Sequence, residues 1–341
     1  MNKINILISL FIAVLLLSSC REIKVDTIVN KDGSFTRIVT ITGDSSDVFK
    51  SGLPYPIDLS WEMDFHKDTT SEKEYILTYT KTYNSDASLN KELDDDTSWR
   101  ENLARKIEIK KNFGFFYSYI VYKETIGAAN PFTLLNYKDY LSNEDMLWLT
   151  GKKLALNSLD SANIKQADDK AEEYLQESLT EEIIAILKSG VEKLNNPTLN
   201  VGLIDKYRDS IAEKVGDWGF NNTDEFVGYL AKLANNTEIF KINEIAQTQF
   251  KSLDKKGELL LKIFEMEDYT VSAELPGLIA STNSLSIKGN KVQWNVNTMS
   301  FLFEDYSMIA ESRVINIWMF IITGIVILAL VVTTIIKSGK I

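Results

Sequence analysis

The chain has one cysteine and one histidine in 341 residues, and each scarcity removes a class of chemistry. With Cys20 alone there is no internal disulfide, so stability outside a reducing compartment must come from packing. With His66 alone there is no multi-histidine metal site, and a serine triad would have to be built around this one residue. In Asp64-Phe65-His66-Lys67 it reads as a solvated strand residue. No GxxxxGK[ST] loop occurs, and Gly216, Gly219 and Gly228 are scattered, so nucleotide use is not expected. Basic residues are also in deficit, 37 against 48 acidic ones, for a formal net charge of -11. That balance argues against a nucleic-acid partner and against broad docking onto anionic headgroups. Acidic runs such as Asp94-Asp95-Asp96, Glu172-Glu173 and Glu181-Glu182 offer carboxylates for acid–base work. Runs of this kind are ordinarily solvated surface, and the first lacks the alternating spacing and loop glycine of a calcium-binding EF-hand. The reading is of a non-enzymatic chain without cofactor or metal. An envelope hydrolase using paired carboxylates is the alternative.

Two apolar runs stand at the ends. Lys3 precedes an apolar stretch from Ile4 to Leu17, followed by Ser18, Ser19 and Cys20, the pattern of a signal peptide and too short for a spanning helix. Leu17-Ser18-Ser19-Cys20 resembles a bacterial lipobox, which implies cleavage before Cys20 and lipidation of its sulfur. Residues 315–336 are almost wholly apolar, as many as the roughly 20 helical residues a bilayer core requires. Trp318 near the start suits the headgroup region, and Lys337 and Lys340 after the end favour the cytoplasmic side. Both signals place residues 21–314 outside the cytoplasm, at the outer face of a bacterial inner membrane, with the C-terminus inside. Two anchors in one bilayer predict that the first and last residues of this portion lie near the same membrane surface.

Between the anchors the hydrophobic period changes twice. Ile23, Val25, Thr27 and Val29 alternate on one face, then Phe35, Arg37, Val39 and Ile41, with Lys31-Asp32-Gly33-Ser34 between them as a hairpin signal. Further strands are predicted over 75–83 and 113–124. After Pro131 the period becomes helical: Ala171, Leu175, Leu179, Ile183, Leu187, Val191 and Leu194 form one stripe, which Asn195-Asn196-Pro197 ends. A second stripe runs through Ile204, Tyr207, Ile211 and Val215, and Asn222 with Glu225 offers a capping box. Residues 238–267 suit a helix at first, but 259–264 fit either class. Strands return near Tyr269, with a hairpin at Lys288-Gly289-Asn290-Lys291 and a last strand over 306–314. The fold class is therefore α+β: a signal peptide (1–19), a β portion (20–130), a helical insertion (131–256), a second β portion (257–314), a transmembrane helix (315–336) and a cytoplasmic tail (337–341). The terminal β thirds are expected to share a sheet or sandwich.

The strongest candidate for binding is the aromatic segment Phe115, Phe116, Tyr117, Tyr119 and Tyr122, which either lines a groove for an apolar ligand or fills a core. The run 20–41 with Asn30-Lys31-Asp32-Gly33-Ser34, together with Leu275-Pro276-Gly277, Ser281-Thr282-Asn283, Gly289-Asn290 and Val292-Gln293-Trp294, resembles LppM-type domains. The resemblance covers both β thirds and the anchors, not the helical middle. It implies a membrane-tethered lipoprotein with a β-rich extracytoplasmic domain, a C-terminal membrane helix and an association with lipid-like molecules, and it brings no catalytic residues. Expected partners are thus the membrane, a lipid-like ligand or an envelope protein, with an assembly role for the helical insertion as a further alternative. Asp26-Thr27-Ile28, Asp160-Ser161-Ala162 and Asp209-Ser210-Ile211 also resemble a bacterial O-glycosylation tripeptide.

Overall fold

Strand signals at both ends and helix signals in the middle fold into separate units. A computed structural model describes residues 21–50, 52–68, 75–153, 158–196, 199–218 and 223–338. One unit comprises 21–127, Asp268–Val296 and 305–338, and the other Ala128–Glu267 with Asn297–Glu304.

The first unit holds two sheets. β1 (Glu22–Val29), β2 (Phe35–Gly43), β3 (Glu62–Lys67) and β4 (Tyr75–Tyr83) come from the N-terminal third, as do β5 (Arg105–Phe113) and β6 (Tyr117–Ile126). The C-terminal third supplies β7 (Tyr269–Glu274), β8 (Leu278–Thr282), β9 (Ser286–Lys288), β10 (Lys291–Val296) and β11 (Tyr306–Ile315). The larger sheet runs β3-β4-β2-β1-β7-β10-β9 and the smaller β5-β6-β11-β8. Each sheet is sewn across the helical interruption, the larger by the parallel pair β1/β7 and the smaller by the antiparallel pair β6/β11. The expectation that the terminal thirds share a sheet holds for both.

Alternation decides the faces. Ile23, Val25, Thr27 and Val29 are buried on β1, opposite Phe35, Arg37, Val39 and Ile41 on β2. The connecting turn forms as its residues dictate: Gly33 takes φ +96°, and the Asp32 carboxylate accepts from the Ser34 amide at 3.0 Å. Thr27 is fully buried, which removes the first glycosylation tripeptide from any enzyme acting on the folded protein.

Two strand assignments change. The predicted strand 113–124 is the end of β5, a three-residue link and most of β6. β5 carries five cationic or amide side chains and buries only Ile107, so it has no apolar rhythm of its own. β3 is exposed at every residue and is equally silent, as befits a sheet edge.

The direction of β1 sets a condition on the expectation that both ends lie near one membrane surface. β1 is parallel to β7, and β7 passes through Leu275-Pro276-Gly277 to Leu278, which lies beside Arg313 near the end of β11. β1 therefore runs toward the end where β11 meets the apolar C-terminal helix, and residue 21 starts at the other end. At about 3.3 Å per residue, the length of β1 separates them by roughly 25 Å. Topology, not anchoring, sets this, because a parallel seam requires β1 and β7 to begin at the same end.

Gly277 makes the short link possible. Its φ is +91°, and a Cβ there would collide with the Arg313 carbonyl oxygen. Gly277→Ala is expected to lose more than about 1 kcal/mol of stability, read as a lowered denaturant midpoint.

The second unit is helical. Its longest element, Ser158–Leu194, buries the predicted stripe from Ala171 to Val191 and ends where Asn195 turns left-handed at φ +47°. The ambiguous 259–264 belongs to the helix Gln247–Phe264, whose buried residues Phe250, Leu253, Gly257, Leu260 and Ile263 recur at helical spacing. The helix Glu225–Leu233 forms as expected; Asn222, its proposed cap, lies outside the described residues. Leu302 and Phe303, from the segment just before β11, join the same core.

Candidate functional site at the base of the membrane helix

β11 does not end in a loop. It runs to Ile315, and after Asn316 alone the helix Ile317–Ser338 begins, two residues later than its apolar composition suggested. An 18-residue stretch of that helix has a mean hydropathy of 2.8 and none of it is buried, so the helix is long and apolar enough to cross a membrane.

Asn316 fastens the junction to the β5–β6 link. Its amide N–H donates to the Phe116 carbonyl at 2.9 Å, and its side-chain Nδ2 donates to the carbonyls of Gly114 at 2.8 Å and Phe115 at 3.3 Å. Its Oδ1 accepts from the Ser118 hydroxyl at 3.0 Å, and its own carbonyl accepts from Met319, opening the helix. Gly114 belongs to this arrangement for a steric reason: a Cβ there would stand 2.5 Å from the Tyr117 carbonyl oxygen. Asn316→Ala is expected to cost about 1–2 kcal/mol for the lost side-chain hydrogen bonds. Amide exchange confined to residues 113–118 would speed up while β7 and β10 keep their protection.

The aromatic rings gather around this knot. Phe113 stacks on Trp318 at 6.1 Å between centroids, Phe116 lies 4.6 Å from Phe320, and Phe115 meets Phe116 edge-on at 4.8 Å. Tyr117 faces Phe320 at 6.3 Å and carries the Arg313 guanidinium over its ring at 4.8 Å. Of the sequence candidates, Phe115, Phe116 and Tyr117 are thus brought together at the helix base. Tyr119 is half-buried on the same side of β6 as Tyr117, its ring against Gly114. Tyr122 is fully buried, stacked on Trp294, and faces the sandwich interior. Cys20 lies outside the described residues. Two open hollows of about 370 and 350 Å³ belong to the helical unit, and neither is lined by these aromatics.

Sequence reasoning missed a buried ion pair at the centre of the sandwich. Arg37 on β2 reaches both carboxylate oxygens of Glu124 on β6, at 3.0 and 2.9 Å. Glu124 also accepts from the hydroxyls of Tyr55 and, at 2.6 Å, Tyr122, while the Arg37 guanidinium lies 4.1 Å over the Tyr55 ring. Burial by itself pushes the Glu124 carboxyl up, but Arg37 and the two tyrosine hydroxyls hold it below its ordinary range. Burial pushes both tyrosine hydroxyls well up, so they stay neutral donors. The signal was an arginine in phase with Phe35, Val39 and Ile41.

The other charged candidates are engaged elsewhere. His66 is exposed and bonds Asp64 at 2.9 Å. Glu181 pairs with Arg208 at 2.7 Å, Glu182 with Lys256 at 2.7 Å and Asp96 with Arg100 at 2.7 Å. Among the described residues no group of three or more His, Cys, Asp or Glu is placed to hold a metal ion.

No family model matches the chain, and no curated protein is similar to it. Among solved structures the chain is similar to the folded domain of the Mycobacterium tuberculosis LppM protein, determined by NMR, at 7% identity and a TM-score of 0.29, covering 87% of this chain and 92% of that one. A score of that size carries no argument about function. What the chain itself shows is an α+β protein with two sheets, a helical unit and an apolar C-terminal helix of membrane-crossing length, anchored by hydrogen bonds and rings to the β6 end of its smaller sheet.

Proposed function

We propose that this chain is a non-enzymatic, membrane-anchored envelope lipoprotein, held at the outer face of the inner membrane by its C-terminal helix and a lipid on Cys20, where it binds a lipid-like ligand or an envelope protein. One observation carries the reading: the exposed apolar helix continues β11 without a flexible linker, so the sandwich is fixed to whatever the helix crosses.

The opposite placement of residue 21 adds a condition. A lipid at Cys20 and the helix share one bilayer only when the strands lie along the membrane surface, because an upright sandwich lifts residue 21 roughly 25 Å away. The surface beside residue 21 fits such contact. Arg21 donates to the backbone carbonyls of Asp47 and, at 2.8 Å, Lys50, and between them Phe49 projects, exposed, against Phe65 at 5.0 Å. Phe65 stacks in turn on Tyr75 at 5.5 Å.

Alkaline extraction and metabolic acyl labelling of the wild type and of Cys20→Ala test the anchoring. The expected result is retention of both proteins in the membrane, with label lost only in the variant. An unlabelled wild type removes the lipid and the flat orientation with it, and release of the wild type removes the membrane reading. Native mass spectrometry after mild detergent extraction tests binding: repeated recovery with neither lipid nor partner counts against it.

A further inference from the structure

The end of β5 and its link to β6 hold two of the larger exposed apolar side chains of the sandwich. Phe113 is 63% exposed and Phe115 54%. Their depth is fixed by the helix. Phe113 stacks on Trp318, the second residue of the helix, and Phe116 lies on Phe320, two residues further along it. With a rise of about 1.5 Å per residue, the aromatic tip therefore reaches past the first residues of the helix, toward its apolar length. The alignment is not a matter of ring contact alone, because Asn316 bonds the backbone of Gly114, Phe115 and Phe116 directly to the helix start.

Neighbouring strands complete a collar of one character. Leu278 at the start of β8, Ile315 at the end of β11 and Ile317 in the first turn of the helix are all more than half exposed. One step back from the tip the character changes to cationic. Lys111 is exposed on β5, and Arg313 stands over Tyr117. Exposed aromatics with cations beside them suit a bilayer surface, where the acyl boundary meets the phosphates. The collar is continuous with the helix that crosses the bilayer, which identifies lipid, rather than a protein, as its occupant.

We propose that the Phe113–Phe116 tip is a further membrane contact, inserted at the boundary between headgroups and acyl chains beside the helix. This rests on the membrane reading of the helix and goes beyond it. Beside the helix and the lipid on Cys20, the tip fixes which side of the smaller sheet meets the bilayer.

The test is photo-crosslinking in the full-length protein, reconstituted into nanodiscs of phosphatidylcholine and phosphatidylglycerol. One sample carries p-benzoylphenylalanine in place of Phe115, a second in place of Ile325 within the helix, and a third in place of Tyr79 on β4. The expected result is a lipid adduct at 115 within about threefold of the yield at 325, and none at 79. Adducts at 325 without any at 115 overturn the insertion and leave the membrane helix standing. Adducts at neither position overturn both readings, and a protein adduct at 115 in place of lipid overturns the choice of occupant. Phe113→Ser with Phe115→Ser gives a second measure that does not depend on the probe. In the wild type, amide protection of residues 112–117 should rise on moving from detergent to nanodiscs, and the double variant should lose that rise while β7 and β10 stay protected.

Discussion

Arg37→Met is expected to lose about 3–5 kcal/mol of stability in urea or guanidinium unfolding of the portion that precedes the apolar C-terminal helix, because it leaves the Glu124 carboxylate buried without its cation. The pair lies in the middle of the sandwich, with side chains 0% and 3% exposed, so water cannot replace the missing partner. The effect should not be undone by simply removing the carboxylate as well. Arg37→Met with Glu124→Leu strands the hydroxyls of Tyr55 and Tyr122, each of which then costs about 1–3 kcal/mol as an unsatisfied buried donor. Adding Tyr55→Phe and Tyr122→Phe removes the stranded hydroxyls, and the four-fold variant should recover much of the loss. If Arg37→Met unfolds within about 1 kcal/mol of wild type, the pair is not closed to water as described.

The same pair sets an acid limit. Glu124 in the folded protein titrates below its ordinary value of 4.5, so it contributes stability that is fully present above that value and is lost as pH falls through the lower, folded one. Stability of the wild type should therefore decline below about pH 4.5, and a Glu124→Gln variant, less stable at neutral pH, should show a shallower decline over the same range.

Phe250→Ala is the second large effect, at about 3–5 kcal/mol, and it belongs to the helical unit. Phe250 is 1% exposed in the helix Gln247–Phe264 and shares a core with Ile183, Leu187, Phe226 and Ile242. Part of the loss is transfer of the ring and part is the cavity left among side chains that cannot collapse into it. One neighbour shows how little slack exists: a Cβ on Gly190 of the long helix would already lie 2.5 Å from a methyl carbon of Ile242. Far-ultraviolet circular dichroism against denaturant reads the change, since this unit holds most of the helix apart from the apolar C-terminal one. Phe250→Leu, which keeps most of the volume, should lose much less. Equal losses for the two variants would show that cavity volume is not what matters there.

The elements with a period of their own are legible in the chain alone. The stripe Ala171 to Val191, the alternation of β1 and β2 around Asp32-Gly33, and the hairpin at Gly289 each follow from local spacing, and all three form as read. β3 and β5 are not legible, because they are edge strands whose neighbours, and not their own side chains, make them strands. The aromatic segment is visible as composition, yet its fate depends on parity within β6 and on where that strand begins. Tyr122 points inward to Glu124, while Phe115, Phe116 and Tyr117 wrap the helix base.

Cysteine and histidine scarcity and the apolar C-terminal run determined by themselves that the given sequence has no internal disulfide or multi-histidine site and that one helix is long and apolar enough to cross a membrane, since each of these depends only on residue type and spacing. The tertiary structure alone decided which ends come together. A parallel β1/β7 seam starts the sandwich at the end away from the membrane helix, and two residues 87 positions apart, Arg37 and Glu124, meet between the sheets. It also brought Asn316 to Gly114, 202 positions earlier in the chain, because antiparallel pairing of β6 with β11 places the beginning of one strand beside the end of the other. No local pattern carries that information, because strand pairing is a choice among distant partners that only the common burial of both sheets resolves.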